Sequence, residues 1–250
     1  MEVVLLGTGT LRPQADTASA GIAFVEDGVV LPVDLGRNTL SRMVECGIDP
    51  LDLGHFLVTH LHPDHTAELV SLLFALKHGR DSDAPVRLSG PEGLDALVKG
   101  LVAAWHWLEP DYPLVVEEIG PGPVTSEGFE VTAVGMEHGN AEALGYRVRS
   151  PRSGHVMAFT GDTGPCDALV DLAGGADVLV AECASTDAEA TPFHLSPTPL
   201  GDAAAAAGVG HLVITHLYPQ TPPDEVLAGV RARFAGRISL GRDRMRVAAG

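Results

Sequence analysis

Apolar residues along this chain come in short runs broken by glycine, proline and acidic turns. Val3–Leu6 is such a run and ends in Gly7-Thr8-Gly9-Thr10, which predicts a strand entering a glycine-permitted loop. The third glycine and following helix of a dinucleotide fingerprint are missing. Ala20–Val25 and Val29–Val33 flank Glu26-Asp27-Gly28, a hairpin signature, and the second run stops at Asp34-Leu35-Gly36. Asn38–Cys46 and Thr66–His78 have helical apolar spacing and stop at Gly47 and Gly79. Between them Phe56–Thr59 reads as a buried strand. Further strands are predicted at Val86–Leu88, Leu114–Ile119, Val131–Val134, Leu144–Val148, Val156–Thr160, Val178–Ala181 and Leu212–Thr215. Helices are predicted near Gly93–Ala104, Cys166–Ala173, Pro199–Ala207 and Pro223–Phe234. Early hairpins with interleaved helices indicate a mixed α/β protein with more than one sheet, expected as a single domain over residues 1–250.

The pattern contains an echo. His55-Phe-Leu-Val-Thr-His60-Leu-His-Pro-Asp is matched by His211-Leu-Val-Ile-Thr-His216-Leu-Tyr-Pro-Gln, each an apolar strand delivering a His at its end. Two halves packed face to face would bring both strand ends to one cleft.

Composition narrows the classes. With 250 residues and 45% hydrophobic content the chain can bury a substantial core. No apolar run approaches the roughly 20 residues of a membrane span, and the first residues have no basic segment of a signal peptide, so a cytoplasmic location is expected. Cys46, Cys166 and Cys183 are far apart and odd in number, and are expected reduced and mostly buried. A net charge of −17 without a dense Lys/Arg cluster disfavours a long nucleic acid.

The chemistry concentrates in His60-Leu-His62-Pro-Asp64-His65, four ligand-type residues in six positions. Imidazole nitrogens suit Zn²⁺ and related metals, and a carboxylate adds neutralising charge. Pro63 biases His62 to an extended backbone, so the segment reads as a loop with side chains turned to one centre. This run resembles the hallmark His-x-His-x-Asp-His of the metallo-β-lactamase-fold hydrolases, and the resemblance continues in order through Asp34, His138, Asp162 and His216. It implies a four-layer αβ/βα sandwich and two divalent ions, Zn²⁺ with Mn²⁺ or Fe as alternatives. One would be held by His60, His62 and His138, the other by Asp64, His65 and His216, with Asp162 bridging. Asp34 would orient a ligand His or merely form a turn. His55, His78, His106, His155 and His211 match no ligand position, and the aromatic segment Trp105–Tyr112 is either local core or a pocket wall.

Downstream, Glu182 in Ala181-Glu-Cys-Ala-Ser185 and His194 in Phe193-His-Leu-Ser196 are similar to the ribonuclease Z branch, where such a pair assists protonation of the leaving group. That branch usually carries a long tRNA-grasping arm, but His138 and Asp162 are only 24 positions apart, with no room for it. The expected function is therefore a small-molecule phosphodiesterase that attacks with hydroxide from a water between the cations. Asp64, Glu182 and His194 are its catalytic candidates. Alternatives are tRNA 3′ processing, an arylsulfatase or lactonase, and a metal-binding sensor without catalysis. A homodimer is expected from the same resemblance.

Overall fold

The computed structural model describes residues 1–250 and contains two seven-stranded sheets. The first comprises β1 (Glu2–Gly7), β2 (Gly21–Glu26), β3 (Val29–Val33), β4 (His55–Leu57), β5 (Val86–Gly90), β6 (Leu114–Glu118) and β14 (Arg246–Ala248), ordered β14-β1-β2-β3-β4-β5-β6. The second comprises β7 (Gly122–Val124), β8 (Glu130–His138), β9 (Ala141–Arg149), β10 (Val156–Phe159), β11 (Val178–Glu182), β12 (His211–Thr215) and β13 (Arg237–Leu240), ordered β13-β12-β11-β10-β9-β8-β7. Each sheet is antiparallel on one side and parallel on the other, the parallel sides being β3 to β6 and β10 to β13. The internal echo extends to register. His55 pairs with Arg87 and Leu57 with Ser89, while His211 pairs with Arg237 and Val213 with Ser239. Each His Nε2 then lies 2.9 Å from the Ser Oγ of the neighbouring strand.

Why the strands read as continuous apolar runs is visible in β1. Val3 and Leu5 point into a core between the two sheets, whereas Val4 and Leu6 pack into a second core beneath helices. A strand covered on both faces cannot alternate apolar with polar. The first sheet's outer face carries α1 (Thr39–Glu45), α3 (Leu69–Gly79) and α4 (Leu94–Ala104), through Met43, Leu72, Leu76 and Leu94. The second sheet's outer face carries α5 (Ala168–Ala173), α6 (Pro197–Ala207) and α7 (Pro223–Arg231), through Leu172, Leu200 and Val230. Helices, sheet, sheet and helices form the expected αβ/βα sandwich.

Three strands were not expected: β7, β13 and β14 are short edge or near-edge pieces with too few apolar positions to give a period. The β8–β9 hairpin is longer than expected, because pairing continues from Val131↔Val148 to His138↔Ala141 through residues with no alternation of their own. At one rim the sheets touch directly. Tyr146 Oη, fully buried, donates to the Val58 carbonyl at 2.7 Å, and Leu144 N donates to the Thr59 carbonyl at 2.9 Å. Gly161 makes this approach possible, since a Cβ there would lie 2.8 Å from the Thr59 side chain.

Candidate metal centre

At that rim the strand ends unload polar side chains. The segment after β4 carries His60 and His62, and His62 is extended (φ −62°, ψ 146°) as Pro63 requires. The expected loop ends there: Pro63 opens α2 (Pro63–Thr66), because proline suits the first helical position, so Asp64 and His65 stand on a helical turn. His138 ends β8, Asp162 follows β10 and His216 follows β12, so strands of both sheets supply the group. His216 has φ 59° and Asp34 φ 66°, two left-handed non-glycine residues at strand ends, which is where strain gathers at functional sites.

The seven residues named from sequence converge. His62 Nδ1 lies 3.1 Å from His60 Nε2 and 3.3 Å from His138 Nε2, and His60 Nε2 is 3.9 Å from Asp162 Oδ2. On the other side of Asp162, its Oδ1 is 3.4 Å from His65 Nε2 and 3.6 Å from His216 Nε2, which is 3.5 Å from Asp64 Oδ2. Tetrahedral ligands about 2.0–2.1 Å from a zinc ion stand roughly 3.3 Å apart, so most of these separations are close to the edge of a coordination tetrahedron, the 3.9 Å between His60 and Asp162 being the longest. Two buried nitrogens make the same point. His65 Nε2 and His216 Nε2 have no hydrogen-bond partner, although both residues are almost wholly enclosed. Unpaired buried donors or acceptors are costly, and a cation would satisfy them. The donor set therefore fits divalent cations.

Electrostatics favour ligation. Burial, helped by the neighbouring imidazoles, pushes His60 far below the usual histidine range, and burial also lowers His62 and His138. A lowered pKa favours the neutral ring that metal binding needs. Burial also works against charge on Asp162, yet His216 and His65 hold its carboxyl well below the ordinary range. His65 goes the other way: burial opposes its charge, but Asp162 and Asp34 raise it well above the normal value.

A second layer holds these groups in place. Asp34 Oδ2 is 2.7 Å from His65 Nδ1, while its Oδ1 accepts from Thr59 N at 2.7 Å. The Thr59 hydroxyl donates to Asp34 Oδ2 at 2.8 Å and lies 3.1 Å from His60 Nδ1. His138 Nδ1 donates to the Phe193 carbonyl at 2.8 Å. Glu182, the last residue of β11, puts Oε1 2.8 Å from His194 Nδ1, and the same oxygen accepts from Thr163 N. Burial raises the Glu182 pKa; burial works against charge on His194, yet the bond to Glu182 together with the negative charges of Glu182, Asp162 and Asp64 raises it.

A cleft of about 650 Å³ opens over these residues, with His62, Asp64, His194, Phe193 and Tyr218 on its walls. The aromatic segment at Trp105–Tyr112 is not there. Trp105 and Trp107 are exposed and meet Phe74 and His78 on the outer face of α3. His55, His78, His106, His155 and His211 also lie outside the candidate ligand groups. Thr59, Phe193 and Tyr218 were not singled out, although Thr59 and Tyr218 both stand inside the repeated strand-His segments. All three cysteines are free, Cys183 being buried and the other two partly so.

Residues 39–217 match the family described as the beta-lactamase superfamily domain. Ribonuclease Z of Mycobacterium marinum (strain ATCC BAA-535 / M) is 34% identical over 275 aligned residues, covering 99% of this chain and 98% of that protein. Among solved structures, the metallo-beta-lactamase fold protein YhfI from Bacillus subtilis superposes with a TM-score of 0.85 at 23% identity, covering 98% of each chain. The short form of human tRNase Z superposes with a TM-score of 0.82 at 22% identity, covering all of both chains.

Proposed function

The chain belongs to the beta-lactamase superfamily, in its ribonuclease Z-like branch, and is a metal-dependent hydrolase; on that premise we propose that it hydrolyses phosphodiesters, with RNA as the first substrate class. The ranking differs from the one read in the sequence, where a small phosphodiester came first. A full-length relative named ribonuclease Z supports placing RNA ahead of it.

The observation that carries the phosphodiester reading is the Glu182–His194 pair at the wall of the ligand cleft. An alkoxide is a poor leaving group and needs a proton as the bond breaks. Glu182 fixes the proton on His194 Nδ1, which leaves Nε2 to deliver a second proton to the leaving oxygen. Against the effect of burial, the carboxylates around His194 raise its pKa, which favours that charged form. Asp64, at the cleft wall, orients the attacking water or takes its proton. Divalent cations held by His60, His62 and His138 and by Asp64, His65 and His216 about Asp162 would supply Lewis acidity at the phosphoryl oxygens and lower the pKa of a water. Zinc is the ion such a His-rich set suits, with Mn²⁺ or Fe next.

A specific feature favours a second reading, a small phosphodiester. The β9–β10 connection is only Ser150–His155, so no arm projects between His138 and Asp162. The M. marinum alignment also runs over 275 positions against 250 here, so that relative has residues without counterparts in this chain. Metal-supplemented protein assayed on precursor tRNA with a 3′ trailer, bis(p-nitrophenyl) phosphate, an aryl sulfate and a lactone separates the readings. Trailer cleavage supports RNA, and turnover of the small diester alone supports the second reading. A lactone or sulfate preferred by orders of magnitude sinks both.

A further inference from the structure

Phe193 takes no part in the reaction above, yet 50% of its surface is open at the mouth of the cleft. Its placement is tightly set. Its carbonyl accepts from the His138 ring, its neighbour is His194, and its own ring lies on Gly139, where an added Cβ would come 3.1 Å from it. An aromatic ring anchored in this way and left facing water suits stacking against a planar group.

The ring stands between two cavities. One is the ligand cleft; the other, about 740 Å³, runs beside it between the end of β6 and the β8–β9 hairpin, and both are lined by His138, Gly139, Ala141 and Phe193. Glu92, Glu118, Glu137 and Glu142 lie on the second cavity's wall, and no Lys or Arg does. Glu137 and Glu142 face each other directly across the β8–β9 ladder, a like-charge pairing that costs stability. Such a wall repels a further phosphate and attracts N–H donors.

Resting on the phosphodiester reading, we infer that this second cavity is a base subsite. It takes the nucleobase flanking the scissile phosphate, stacked on Phe193 with its amino or ring N–H groups towards the glutamates. The polyanionic remainder of a strand has to leave in another direction.

Adenosine 5′-monophosphate and ribose 5-phosphate differ by the base alone, and calorimetric titration of each into the metal-loaded full chain tests the subsite. The nucleotide is expected to bind at least about tenfold tighter, as base–aromatic stacking provides. Phe193→Ala should bring the two within about twofold while leaving ribose 5-phosphate unchanged, and Phe193→Tyr should keep the preference. Equal affinities in the wild type, a preference that survives Phe193→Ala, or an equal loss on both ligands in a variant of unchanged melting temperature would overturn the inference. Hydrolysis of bis(p-nitrophenyl) phosphate by the same preparation reports separately on the reaction. Turnover with equal affinities removes the base subsite alone, whereas a base preference without turnover of any phosphodiester removes the reaction and leaves the subsite standing.

Discussion

Asp34 occupies the left-handed region at φ 66°, a conformation that asparagine shares with little strain, so Asp34→Asn changes the charge and keeps the backbone. Its carboxylate holds the Nδ1 side of His65 and the Thr59 hydroxyl. The variant should bind metal roughly 10- to 100-fold more weakly, as losses of such outer partners do, and competition with a chelator of known affinity checks it. For His194→Ala the expected loss depends on the substrate. Esters with poor leaving groups should slow by about 10²–10⁴-fold and those with good ones much less, because only the former need the proton. An equal loss on both would make His194 structural. The seven residues that converge could be picked out in the sequence because six positions hold four of them and the others fall in family order. Thr59 and Phe193 could not, since a threonine hydroxyl or a phenyl ring acquires its role only from what the other sheet brings against it.

Elements were legible where they are buried on both faces, as β1 and β12 are, and illegible where pairing alone makes them, as with β14 or the tip of β8. One small residue stitches such pieces together. Asp243, just before β14, accepts from Thr8 N at 3.0 Å, Ala18 N at 2.7 Å and Arg42 Nε at 3.1 Å, and the Thr8 carbonyl in turn accepts from His216 N. Asp243→Ala should therefore cost about 2–4 kcal/mol in urea unfolding and leave a weaker second cation site. The strand pair β4–β5 gives a pH dependence. The Ser89 hydroxyl donates to Glu117, so it accepts from neutral His55, and burial lowers the His55 pKa to about 4. The unfolded chain takes up its proton near pH 6.5, the folded one only near 4. Stability from this group is thus complete above pH 6.5 and falls as pH drops from there towards 4, by at most about 1.4 kcal/mol per pH unit. Denaturant midpoints at pH 7 and pH 4.5 should show His55→Gln losing less than the wild type on acidification.

For the whole molecule, cations and folding are linked, because binding restricted to the native state stabilises it. Metal at a thousand times its Kd contributes about 4.1 kcal/mol, so chelation should lower the Tm by roughly 10 °C, reversibly on adding zinc back. A Tm indifferent to chelator would argue against both sites. His60, His62, Asp64 and His65 come from the first sheet's half of the chain, and His138, Asp162 and His216 from the second's. Neither half alone carries all the residues of either candidate ligand set. Metal content at a fixed free-metal concentration consequently acts as a gauge of how well the halves fit: a core substitution between the sheets, far from the cleft and touching no ligand, should register first as lost cation affinity.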